Sequence, residues 1–127
     1  MPGTNPAPGF TRQPDRHMHY APASSQVMVI FNDFVVAVSA NAIILHEEDF
    51  PAVHYLPQAD VRMDLATRTD HSTHCPFKGD ATYWTLTVGG KVAENAIWAY
   101  EMPFDEAMVI KNLVAFYMNK VDTIQVG

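Results

Sequence analysis

Thr82-Tyr83-Trp84-Thr85-Leu86-Thr87-Val88-Gly89-Gly90-Lys91-Val92-Ala93 is the stretch on which the fold class turns. Trp84, Leu86 and Val88 alternate with Tyr83, Thr85 and Thr87, the period of two that sends successive side chains to opposite faces of a strand. Gly89-Gly90 follows at once and supplies the two flexible positions of a tight hairpin. The returning strand passes Lys91-Val92-Ala93 and, after a bulge at Glu94-Asn95, continues through Ala96-Ile97-Trp98-Ala99-Tyr100, with Trp98 and Tyr100 on one face.

Outward from this hairpin the texture persists. Downstream, Pro103 stops the strand, the acids of 105–110 suit the first turn of a short helix, 113–117 reads as strand, Asn119-Lys120 as turn and 123–126 as a last strand. Upstream, the runs 27–31, 35–38 and 42–46 have strand length; Asn32-Asp33 and Ser39-Ala40-Asn41 separate them, which predicts a meander. A further short strand covers 53–56, a short helical stretch 60–65, and the polar run 67–73 predicts a surface loop. Helices too short to cover both faces of a parallel sheet argue against a doubly wound fold. The expected fold is mainly β: a compact single domain of antiparallel strands and hairpins with one or two short helices.

A chain of 127 residues buries one substantial core. Five of its nine prolines fall in residues 1–25, where few large apolar side chains offset the entropy of ordering; this predicts a flexible Pro-rich tail ahead of a domain over 26–127. His17 and His19 lie on that tail and could share one face of an extended segment, but two imidazoles alone are a weak metal signal. The net charge of −6, with no segment gathering four basic residues, argues against nucleic acid as a partner. Cys75 is the single cysteine, so neither a disulfide framework nor a Cys-rich zinc site is open to the chain, and a reducing compartment fits. No apolar run approaches the ~20 residues of a membrane span, and no leader pattern opens the sequence. The expectation is a cytoplasmic protein with no membrane partner, for which a homodimer follows only from the general frequency of symmetric dimers.

Thr73-His74-Cys75-Pro76-Phe77-Lys78-Gly79 carries a resemblance to a known family, supported in order by Tyr55-Leu56-Pro57, Asp60-Val61-Arg62, Ala81-Thr82-Tyr83, Trp98-Ala99-Tyr100-Glu101-Met102-Pro103 and Ala115-Phe116-Tyr117. Over roughly 27–122 the chain resembles the bacterial domain-of-unknown-function family 427. Val38-Ser39 and Leu45-His46-Glu47 extend the likeness, with Val38 where the family more often has an acidic residue. The resemblance implies a compact, mostly antiparallel β fold and no particular activity. The nucleotidyltransferase-like label sometimes attached to the family finds neither a Gly-rich phosphate loop nor a metal-binding carboxylate pair here.

The densest chemistry follows the polar run. Pro76 biases Cys75 toward an extended backbone and Gly79 permits a turn just beyond Lys78, so 75–79 is an ordered bend. An extended Cys75 sends His74 to the opposite side, leaving His54 or His71 as bases that could serve the thiol. Cys75, Lys78 and Glu101 are the candidate catalytic residues; Thr73, Tyr83, Trp98, Tyr100 and Asp60 are the candidate ligand contacts; Lys78 would pair with Asp60, Glu101 or an anion. A zinc set of His71, His74, Cys75 and Glu101 is disfavoured because adjacent ligands on an extended segment diverge, so no metal and no cofactor are expected. Glu47-Glu48-Asp49 reads as a solvated rim. Two functions remain: a site for a small polar or anionic molecule, with or without catalysis, or a non-catalytic domain whose exposed edge or aromatic patch contacts a protein.

Overall fold

The computed structural model describes residues 5–127. In chain order the strands are β1 (Met18–Pro22), β2 (Val27–Phe31), β3 (Phe34–Ser39), β4 (Ile43–Glu47), β5 (Val53–Tyr55), β6 (Ala66–Cys75), β7 (Gly79–Val88), β8 (Lys91–Tyr100), β9 (Val114–Phe116) and β10 (Thr123–Val126). The Gly89-Gly90 hairpin joins β7 to β8 at the centre of a four-stranded sheet ordered β6-β7-β8-β9. Two three-stranded sheets, β1-β4-β5 and β10-β2-β3, complete an antiparallel architecture with only short helical turns.

Neighbouring positions on the central strands divide between two apolar clusters. Ala81 and Tyr83 of β7, Tyr100 of β8 and Ala115 of β9 pack with Leu45 and Tyr55, and Trp98 joins them. Trp84, Leu86 and Val88, with Ile97, Ala99, Val114 and Phe116, pack instead with Val27, Val29, Phe31 and Val36. Since adjacent residues of a strand face opposite ways, the central sheet carries a core on each face, and each small sheet covers one of them. Burial on both sides explains why 96–100 and 113–117 are almost unbroken apolar runs.

The bulge expected in β8 is present. From Trp84↔Ile97 to Leu86↔Ala93 β8 takes four steps (97 − 93) against two on β7 (86 − 84). Asn95 adopts a φ of 51° there, and its N–H donates to Thr85 Oγ1 at 3.1 Å. A matching irregularity lies in β6 between Arg68 and Ser72.

Several expectations need correction. Residues 67–73 are not a loop but the body of β6, an edge strand exposed along most of its length; its polarity reflects solvent, and pairing with β7 decides its conformation. The three upstream strands are not one meander. β2 and β3 pair through Asn32-Asp33, both at positive φ, whereas β4 leaves to pair with β1 and β5. The helical stretch at 60–65 resolves into two 3-10 turns, Gln58–Asp60 and Met63–Leu65, because buried Val61 between them is extended and bridges to Ala37.

The Pro-rich segment is also part of the domain over its described residues. β1 lies antiparallel to β4 with Met18 opposite Glu47, and a single helical turn, α1 (Gly9–Arg12), precedes it. Backbone N–H groups of Asn5 and Ala7 donate to the carboxylates of Asp105 and Glu106 at 2.9 and 2.8 Å. Gly9 N–H donates to the Pro76 carbonyl at 2.9 Å, and Phe10 meets Phe77 edge-on at 5.0 Å. A Cβ at Gly9 would stand 2.7 Å from the Phe77 ring, so only glycine fits this approach. Docking therefore rests on backbone donors, the close Gly9–Phe77 approach and an Arg16–Glu47 ion pair at 2.7 Å, none of which composition reveals; residues 1–4 lie outside the described residues. Among the described residues no helix is long and apolar enough to cross a membrane.

Deleting residues 1–16 removes these contacts while sparing β1. The melting temperature is expected to fall by more than about 5 °C, roughly 1 kcal/mol for a domain of this size. An unchanged melting temperature would show that the segment adds nothing to the fold.

Candidate functional site

A cleft of about 680 Å³ opens between β5, the chain following β9 and the Trp98 face of the central sheet. Its deep walls are apolar, from Val27, Val29, Leu45, Leu56 and Phe116. Tyr55, Tyr83, Trp98, Tyr100 and Tyr117 add aromatic surface, and Thr73, Cys75, Lys78, Glu47 and His54 add polar groups. The mouth is apolar too: Phe50, Met118 and Val126 line it and remain 61%, 69% and 52% exposed.

Local sequence explains the placement of these groups. Thr73 and Cys75 alternate along the end of β6 and share the cleft side, while His74 between them is exposed, its Nδ1 2.7 Å from Asp80. Pro76-Phe77-Lys78 turns the chain, Phe77 is buried as its anchor, and Gly79 takes a φ of 121° where a Cβ would press on the Met102 carbonyl at 3.3 Å. Lys78 Nζ is thereby held 3.3 Å from Glu47 Oε1 and 5.9 Å above the Tyr100 ring. The other oxygen of Glu47 receives Arg16 at 2.7 Å, so one carboxylate ties the N-terminal segment and the β6–β7 turn to β4.

Hydroxyls form a chain across the aromatic wall. Thr73 Oγ1 and Tyr83 Oη are 2.9 Å apart, and Tyr83 Oη and Tyr117 Oη are 3.3 Å apart. Trp98 lies against Tyr117 with ring centroids 4.4 Å apart and meets Tyr55 edge-on. Burial raises the phenol pKa of Tyr55, Tyr100 and Tyr117, the last also through its hydrogen bond to Tyr83, so these groups act as neutral donors and acceptors. Burial, and secondarily His46, lowers the pKa of His54 and favours its neutral imidazole.

Six of the residues singled out from sequence, Thr73, Cys75, Lys78, Tyr83, Trp98 and Tyr100, line this one cleft. Glu101 and Asp60 do not. Glu101 follows Tyr100 and turns to the opposite side, where Arg68 donates to both its oxygens at 2.8 and 2.6 Å and Thr82 donates at 2.8 Å. Asp60 accepts from the buried Ser39 hydroxyl at 2.7 Å beside β3. The partner of Lys78 is accordingly Glu47 rather than either of these acids. Glu47 belongs to no solvated rim: two residues beyond buried Leu45 on the same strand, it shares that inward face, and this alternation was the signal for it. Tyr55 and Tyr117 were legible only as aromatic residues. His71 packs on the Tyr83 ring at 4.5 Å, and among the described residues no three histidine, cysteine or acidic side chains gather around one point as metal ligands would.

Glu101 yields a pH test. Chiefly through the Arg68 hydrogen bonds, its pKa lies below the ordinary 4.5, so its stabilising contribution is present above that value and is lost as pH falls through the folded-state pKa. Glu101→Gln is expected to lower the melting temperature slightly near neutral pH, the pair being largely exposed, with the gap to wild type closing on acidification. A gap independent of pH would show that the ion pair contributes nothing.

No curated protein matches the chain. A family model described as Domain of unknown function (DUF427) matches residues 19–127, from within β1 through the end of β10. With most of its length and all three sheets inside that match, the chain belongs to the DUF427 family.

Proposed function

We propose that the protein binds a small amphipathic organic molecule in this cleft, its apolar or flat body against Trp98, Tyr55 and Phe116 and its polar or anionic end toward Thr73, Tyr83 and Lys78. The observation that carries this reading is the apolar rim of Phe50, Met118 and Val126 around a space that also holds a hydroxyl chain and an ammonium group. Exposed apolar side chains gathered at one mouth are costly unless something covers them, and a volume near 680 Å³ suits a small ligand. Glu47 engages one of the three Lys78 donors, which leaves two for an incoming carboxylate or other oxygen acceptor. No bond-making step is assigned to Cys75; it serves as a half-buried wall residue.

A second reading, a protein-docking surface, draws on β3, where Phe34, Val35 and Val38 are exposed. The two readings are separated by presenting a panel of aromatic and medium-chain carboxylates, each with its matched alcohol, to the native protein. Ligands that fill the cleft are expected to raise the melting temperature and to slow iodoacetamide labelling of Cys75 in parallel. Lys78→Met should weaken carboxylates more than alcohols. Stabilisation without protection of Cys75 would place binding elsewhere, and a panel without effect would favour the docking surface.

A further inference from the structure

Strand pairing gathers histidines that the sequence scatters. β1 runs antiparallel to β4 with His19 directly opposite His46. Their rings lie within 22° of parallel, with centroids 6.3 Å apart, and both side chains are exposed. His17, His19, His46 and Glu48 line a single surface groove. His54 on β5 is close enough for the charge on His46 to oppose its protonation. The groove adjoins the cleft described above, Glu47 and Phe50 lining both, but His46 sits between Leu45 and Glu47 on the strand and faces away from the cleft.

We infer that this groove binds a divalent transition-metal ion of the imidazole-preferring class, with His19 and His46 as its paired ligands. Directly opposed residues of an antiparallel pair hold their Cβ atoms about 4.5–5.5 Å apart, so rotation of two exposed side chains suffices to aim both ring nitrogens at one ion. The backbone ladder fixes that spacing before the ion arrives, which reduces the ordering cost of binding. Neutral imidazole suits copper, nickel and zinc, with Cu(II) the most tightly held of the three. Among the described residues no third donor converges with the pair, so water completes the coordination and the ion exchanges readily. The Glu48 carboxylate already accepts from the His17 backbone N–H at 2.9 Å, which fixes one wall of the groove.

The test uses metal-stripped full-length protein titrated with Cu(II), Ni(II) and Zn(II) by calorimetry, with amide broadening by Cu(II) recording where the ion sits. The expected result is saturable binding of a single equivalent, tightest for Cu(II), with broadening centred on β1 and β4. His19→Ala and His46→Ala should each weaken it by roughly tenfold or more. His46→Gln, which keeps a polar side chain on the strand, guards against a folding artefact and should behave like His46→Ala. His74→Ala, at an exposed histidine paired with Asp80, should leave binding unchanged. Absence of saturable binding, or binding that neither His19→Ala nor His46→Ala alters, or an equal loss in His74→Ala, would overturn the assignment.

Discussion

The structure depends on one constraint: the central sheet is apolar on both faces, and a sheet of that kind must be covered twice. Trp84 and Tyr83 are sequence neighbours, yet they belong to different cores, as do Ile97 and Trp98. A single cover would leave residues such as Leu86 and Ile97 in water, at a cost of about 1.5–3 kcal/mol for each side chain of that size. The two small sheets meet this demand separately, and β5 is joined to β9 by the Leu56–Val114 bridge. Elsewhere the covers part, and the cleft is the space between them.

Glu47 closes the arrangement at the other end. Its carboxylate sits between Arg16 and Lys78, with all three side chains only slightly exposed. Two cations share one anion, so the β6–β7 turn and the N-terminal segment are held against β4 by the same group. Substituting it would leave two positive charges facing each other in a poorly solvated corner. The side chain that shapes the polar end of the cleft is therefore also a structural tie.

How much of this was legible depended on the range of the interaction. The β7–β8 hairpin, its glycine turn and the bulge at Asn95 are set by residues within a few positions of one another, and alternation plus turn chemistry reads them directly. Within a strand the period of two also accounts for pairs of cleft residues, since it puts Thr73 with Cys75, and Trp98 with Tyr100, on one side. It does not reveal which strand lies across the cleft, and so does not single out Glu47 as the partner of Lys78. β6 is not legible because an edge strand facing water has the composition of a loop. β1 is not legible because its place is secured by pairing with β4, some twenty-five residues away, in a proline-rich segment.

The covers differ in how they are closed. β1 joins β4 across fewer than thirty positions, whereas β10 joins β2 with Thr123 opposite Ile30, a separation of 93 (123 − 30). Loop closure over such a span comes late in folding, since its entropic cost precedes any reward from the contacts. During synthesis β2 and β3 can form their hairpin early, but the free edge of β2 finds its partner only once β10 has been made. Until then Val27 and Val29 belong to a two-stranded ribbon, a form that is marginal in water on its own. Of the two faces of the central sheet, the one bearing Trp84 and Leu86 thus has its cover completed only by β10, and until that strand emerges the nascent chain is open to strand-to-strand association on that side.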